Sequence, residues 1–194
     1  YINDESDISQ IQNCNIINGS LFIHGEYKLD NLSGLSNLNI ITGNVVIMDS
    51  HLLRTLYGLH NIYSIDGNNL YLDSNSISYD ELRVVTKEGT KEISNALFEK
   101  KLIENVCKKL EYYINELRPN KRVFIAFDGV APVAKLDQQR NRRYKSALEK
   151  KLFETKVPWD RCAITPGTEF MRKLTFGIKN YFNKKEKKYN VKKI

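Results

Sequence analysis

Two aspartates stand where chemistry is most easily done. Asp73 closes the short apolar run Leu70-Tyr71-Leu72, and Asp128 closes the run Arg122–Phe127. Both runs read as strands, and in parallel α/β sheets ligands bind beyond the carboxyl ends of the strands. Paired carboxylates there suit a hard cation such as Mg²⁺, with Mn²⁺ in its place. The same residue type also caps turns and helices, so a structural use stands beside the metal reading. After Asp128-Gly129, Lys135, Gln138, Gln139, Arg140, Arg142, Arg143 and Lys145 fall within eleven residues. On a helix entered at Pro132, with Lys135 at zero, Gln139 lies at about 40°, Arg142 at about −20° and Arg143 at about 80°. Three cations and an amide on one face would grip a phosphate, with guanidinium forks making bidentate contacts. A solvated basic helix is the alternative use of the same face.

Positioning these groups requires a strand, a helix and a second strand. A polar loop is expected after Asp73, running through Gly89 and Thr90. From about Ser94 to Leu117, the residues Ile103, Val106, Leu110, Ile114 and Leu117 recur at helical spacing. Arg118-Pro119 stops that helix, and the next strand begins at Arg122. The order strand, helix, strand predicts a parallel pair in an α/β sheet.

The chain ahead of Asp73 repeats itself at an offset of 24. Ile17-Asn18-Gly19 recurs as Ile41-Thr42-Gly43 and as Ile65-Asp66-Gly67, and Leu32-Ser33-Gly34-Leu35 recurs as Leu56-Tyr57-Gly58-Leu59. Each unit reads as a turn, a short strand and a leucine-rich coil, the pattern of a stacked β-solenoid. The segment resembles leucine-rich repeats of the L-domain type, which implies binding or spacing, with a protein as its partner. No catalytic constellation lies within it.

The chain has 194 residues, 41% hydrophobic and 27% charged, which predicts a folded globular chain. No run reaches the ~20 apolar residues of a membrane helix, so no membrane role is expected. Tyr1 stands first and no basic-then-apolar leader follows, so the chain reads as a piece of a longer one. Cys14, Cys107 and Cys162 are widely spaced, and reduced thiols in an intracellular protein are expected. His24, His51 and His60 sit on separate segments and read as core or surface residues. Net charge is +7, unevenly spread: residues 1–98 carry 5 Lys/Arg and 12 Asp/Glu, net −7, and residues 99–194 carry 25 and 11, net +14. A basic half suits a polyanionic partner.

Three blocks carry a family resemblance. DGVAPVAKLDQQRNRRY, from Asp128 to Tyr144, resembles the hallmark of the Xrn/Rat 5′→3′ exoribonucleases. NLYLDSNS, from Asn69 to Ser76, resembles the first metal-aspartate segment of that family, and CAITPGTEFM, from Cys162 to Met171, its later block. The resemblance implies an α/β fold with a parallel-sheet nuclease fragment at 68–194, behind a short β-solenoid or leucine-rich repeat at 1–67. It implies a magnesium-dependent enzyme that acts on single-stranded RNA bearing a 5′-monophosphate and releases mononucleotides, in cytoplasm or nucleus. By the same likeness Asp73 and Asp128 are metal-binding and catalytic, and Lys135, Gln139, Arg142 and Arg143 hold the 5′-phosphate. Thr165-Pro166 reads as a helix start, with Glu169 a structural carboxylate in its first turn.

Departures from the family are specific. A repeat replaces the family's short opening segment, and Val133 stands where a basic residue is usual. The family's further metal carboxylates are expected downstream, beyond a lysine-rich tail from Lys179 to Lys193. This chain alone is therefore expected to bind 5′-phosphorylated RNA and to cut it poorly. The rival reading is a non-catalytic RNA 5′-phosphate binder or a protein-interaction scaffold.

Overall fold

In a computed structural model, all residues are described except 27, 51, 54, 63, 66–68, 88–93, 120, 130–131, 153–158 and 186–194, while 26, 64–65, 134–135, 139, 142, 146–147 and 149–152 are described in their backbone alone. The 24-residue period becomes cross-strand register. Strands β1 (Ile16–Ile17), β3 (Ile40–Ile41) and β5 (Ser64–Ile65) form a parallel ladder in which Ile16 faces Ile40 and Ile40 faces Ser64. A second parallel sheet has the order β2 (Leu21–Glu26), β4 (Val45–Ser50), β6 (Asn69–Asp73), β7 (Arg122–Ala126). Leu21 faces Val45, Val45 faces Leu70, and Leu70 faces Val123, so repeat strands and aspartate-bearing strands share one sheet.

What stacks the repeat is visible one period apart. Leu29, Leu32, Leu35 and Leu38 are buried, as are their counterparts Leu53, Leu56, Leu59 and Ile62. Asparagines tie neighbouring coils: Asn37 Nδ2 donates to the Gln12 carbonyl at 2.9 Å, and Asn61 Nδ2 to that of Ser36 at 2.6 Å. A short helix, α1 (Glu5–Ile11), closes the first coil with Ile8 in the core, and Asp4 caps it by accepting from Ser6 N at 2.9 Å.

The inner face of the four-stranded sheet carries Leu21, Ile23, Val45, Ile47, Leu70, Leu72 and Val123, all buried. Two helices run between the paired strands β6 and β7. The polar loop expected after Asp73 is instead a helix, α2 (Asn75–Lys87), with Gly89 and Thr90 outside the described residues. Its serines are poor helix formers, but Ser76, Ile77, Ser78 and Val85 are buried, and packing overrides propensity. Helix α3 (Asn95–Leu117) runs as the spacing predicts, capped by Ser94 Oγ on Leu97 N at 3.4 Å. It ends at Arg118, left-handed at φ 43°, directly before Pro119.

Beyond β7, helix α4 (Val133–Leu152) carries the basic motif, and α5 (Glu169–Asn183) packs on α3. Helix α5 starts three residues later than Pro166 suggests, because Thr168 takes the cap: its Oγ1 accepts from Met171 N at 3.3 Å. Glu169 is then the first helical residue, and its hydrogen bond with Arg172 holds its carboxyl below the usual range. Lys173 pairs with Glu99 at 2.7 Å and Lys185 with Glu111 at 2.8 Å, clasping α5 to α3. Trp159 is sandwiched between Phe98 and Phe170, with ring centroids 5.6 and 4.9 Å away.

All three cysteines are free, and Cys107 lies buried on α3. Burial pushes its thiol up to about 11. Its folded value lies above the ordinary 9.0, so the folded state resists the thiolate, and stability present below pH 9.0 falls as pH rises toward about 11. At pH 8, a thiol reagent is expected to label exposed Cys14 promptly and Cys107 only after denaturation. Mass spectrometry of a labelling time course checks it, and prompt labelling of Cys107 in the native chain would contradict the burial. Among the described residues, no helix is long and apolar enough to cross a membrane.

Candidate active site

The ends of β6 and β7 meet at one groove. Asp73 pairs with Ala126 in register, and the chain just past Asp73 is held to β7 by Ser74 N donating to the Ala126 carbonyl at 2.8 Å. Asp128 follows two residues after Ala126. A groove of about 500 Å³ is lined by both Asp73 and Asp128. Asp128 is exposed, whereas Asp73 is half-buried and accepts from Asn75 N at 3.3 Å. One aspartate thus also caps the entry to α2, as the structural reading of the sequence allows.

The blocks flanking this groove are joined to one another. Tyr79, on α2, donates its hydroxyl to the Ile164 carbonyl at 3.2 Å. Arg143, on α4, donates Nη2 to Thr165 Oγ1 at 3.3 Å. The block 162–171 therefore touches the helix after Asp73 and also the helix after Asp128.

A sequence profile described as the XRN 5′-3′ exonuclease N-terminus matches residues 50–194. The chain belongs to the Xrn 5′–3′ exonuclease family. It is 35% identical to 5′-3′ exoribonuclease 1 of Saccharomyces cerevisiae over 105 residues, covering 48% of this chain and 7% of the yeast protein. It is 41% identical to 5′-3′ exoribonuclease 1 of Homo sapiens over 96 residues, 44% of this chain and 6% of the human protein. With 5′-3′ exoribonuclease 2 of Cryptococcus neoformans it shares 36% over 109 residues, 45% of this chain and 10% of that protein. The chain thus spans 6 to 10% of the length of these relatives. The Xrn match begins at residue 50, within β4, so it takes in the end of a repeat strand.

Of the six site residues expected from the sequence, the structure brings Asp73 and Asp128 to one groove. Lys135, Gln139, Arg142 and Arg143 all lie on α4, but the side chains of Lys135, Gln139 and Arg142 are outside the described residues. Arg143 is exposed.

One half-buried and one exposed carboxylate at neighbouring strand ends could serve an ion such as Mg²⁺, which keeps several waters and takes one or two carboxylates. Two residues past Asp73, Asn75 Oδ1 is buried without a hydrogen-bond partner among the described residues. Among the described residues, no group of three or more His, Cys, Asp or Glu side chains is gathered for a metal. Nothing in the sequence singled out Asn75 or Tyr79, and Thr165 was read only as part of a helix start.

Proposed function

We propose that this chain supplies the 5′-end-binding part of a magnesium-dependent 5′→3′ exoribonuclease that takes 5′-monophosphorylated single-stranded RNA and releases mononucleotides. The observation that carries the reading is the shared groove of Asp73 and Asp128, with the basic helix α4 leading away from Asp128. Asp73 and Asp128 would hold Mg²⁺, which neutralises charge on the scissile phosphate and makes a bound water more acidic. Lys135, Gln139, Arg142 and Arg143 would embrace the terminal phosphate. A monophosphate fits such a charged pocket, while a cap or triphosphate adds bulk and charge. With two candidate carboxylate donors at the groove among the described residues, residues 1–194 alone would bind such RNA and hydrolyse it slowly. The 24-residue repeat would serve as a leucine-rich, L-domain-like unit that holds a protein partner.

The test compares one short RNA bearing a 5′-monophosphate or a 5′-hydroxyl, at fixed salt, because a strongly basic segment binds any polyanion. Preference for the monophosphate is expected at about 10-fold, or 1.4 kcal/mol. The double variant Arg142→Ala, Arg143→Ala is expected to lose it. Equal affinities for the two RNAs would reduce α4 to a general polyanion surface. A preference with no Mg²⁺-dependent cleavage, even after longer stretches of the protein are joined, would favour a non-catalytic 5′-phosphate binder.

A further inference from the structure

The outward face of the four-stranded sheet carries a rung of side chains that phosphate and cation binding leave unused. Register sets Phe22 beside Val46, Val46 beside Tyr71, and Tyr71 beside Phe124. A bridge between Ile2 and Ile23 brings Tyr1 alongside Phe22. Tyr1 and Phe22 stack with ring centroids 4.6 Å apart, and Tyr71 and Phe124 stack at 4.7 Å with planes 1° apart. Val46 interrupts this row of rings. Neighbouring strands lie about 4.8 Å apart, so Phe22 and Tyr71, two strands apart, stand roughly 9.5 Å from each other on either side of Val46. One planar ring placed midway would meet each at nearly the spacing of the two existing stacks, inside the range aromatic pairs prefer.

The space above Val46 belongs to the groove that ends at the two aspartates. Phe22, Val46, Met48 and Tyr71 line it, with Asn44 toward the opposite end from Asp73 and Asp128. Asn44 holds its amide in place through Asn69, whose Nδ2 donates to Asn44 Oδ1 at 3.0 Å. Its volume, about 500 Å³, is within the range of nucleotide-sized sites.

We infer that this slot takes one nucleobase of the RNA, stacked between Phe22 and Tyr71 over Val46, with its phosphate toward the Asp73–Asp128 end. The inference rests on the RNA reading above and adds the repeat to it, since Phe22, Val46 and Met48 lie on repeat strands and Asn44 just before one. A single-ring slot suits a base better than a protein helix, which needs a broad surface. Base stacking on aromatic walls tolerates any sequence, as an exonuclease requires.

The test uses 5′-phosphorylated RNA in which 2-aminopurine, whose fluorescence is quenched on stacking, replaces each of the first five bases in turn. The unaltered chain is expected to quench one position strongly. Val46→Phe, which fills the slot with a protein ring, is expected to abolish that quench and weaken binding by about 10-fold, the typical yield of one base stack. Tyr71→Leu, which removes one wall, is expected to do the same by the opposite change, so a folding failure of one variant leaves the other as judge. An RNA lacking the base at that position should bind the unaltered chain and Val46→Phe equally. Unchanged quench and affinity in both variants overturn the slot. If the monophosphate preference persists in that case, the slot alone has failed. If the preference is absent as well, the RNA reading fails and the slot goes with it. A raised melting temperature in Val46→Phe with no effect on RNA would mean a protein side chain fills the gap instead, and also overturns the inference.

Discussion

Gly58→Ala is expected to destabilise the chain by at least about 3 kcal/mol, in the range of severe backbone clashes. Gly58 sits at φ +110°, and a Cβ added there would lie 1.8 Å from the Leu32 carbonyl oxygen. That oxygen belongs to backbone one period back, in the coil where Leu32, Leu35, Leu56 and Leu59 are all buried, so it has nowhere to retreat. Two other glycines separate the contributions. Gly19 has φ +138° but open space around the added Cβ, so Gly19→Ala should cost only the backbone term, about 1 kcal/mol. Gly129 has open space and no positive φ, so Gly129→Ala should fall within about 0.5 kcal/mol of the unaltered chain. Urea unfolding of the three variants checks the order. Because β4 and β6 pair within one sheet, the Gly58→Ala loss should appear in a single transition that includes α3 and α5. A separate early transition would show that the coils unfold on their own, and a Gly58 loss no larger than that at Gly19 would refute the clash.

The period is the register of β1 with β3, β3 with β5 and β2 with β4, and it lengthens by one residue only where β4 meets β6, which is why those pairings were legible. An offset of 24 in the letters is a ladder of Ile16, Ile40 and Ser64 in space. Likewise the apolar spacing of α3 named Ile103, Val106, Leu110, Ile114 and Leu117; the last four are buried and Ile103 is half-buried against the core. Legibility failed where tertiary packing outvotes local preference. In α2, Ser76 and Ser78 read as loop, yet both are buried, and Ser78 Oγ returns its hydrogen bond to the Ser74 carbonyl at 3.3 Å. The start of α5 was misplaced because Pro166 is a strong signal for a first helical residue, and Thr168 a quieter one that the geometry prefers. The outward aromatic rung was hidden for a different reason. Leu70-Tyr71-Leu72 looks like a run buried on both faces, and alternation emerges only once β7 sets Phe124, 41% exposed, beside Tyr71. The basic face expected on α4 was read from charge and spacing, whereas Arg143's hydrogen-bond partner Thr165 lies 22 residues away, a distance that no local pattern spans.

Asp128→Asn is expected to remove divalent-ion binding while leaving the fold intact, and Asp73→Ala to damage both. Asp128 is exposed, so exchanging its carboxylate for an amide should move stability by less than about 0.5 kcal/mol. Its loss takes away one of two anionic donors at the groove, however, and an amide oxygen is a weaker ligand for a hard cation. Even outer-shell partners of a metal are worth 10- to 100-fold in affinity, so loss of this direct donor should cost at least about 100-fold. Asp73 bears a second duty through its bond from Asn75 N, and removing that cap should add about 1 kcal/mol of destabilisation. Mn²⁺ titration followed by electron paramagnetic resonance reads the first effect, because bound Mn²⁺ loses the sharp signal of the free ion. Urea unfolding reads the second. Mn²⁺ binding that survives Asp128→Asn would place the cation elsewhere and leave Asp73 with its capping role alone. Binding lost in both variants, with stability lost only in Asp73→Ala, would separate one carboxylate that serves the ion from one that serves the ion and the fold together.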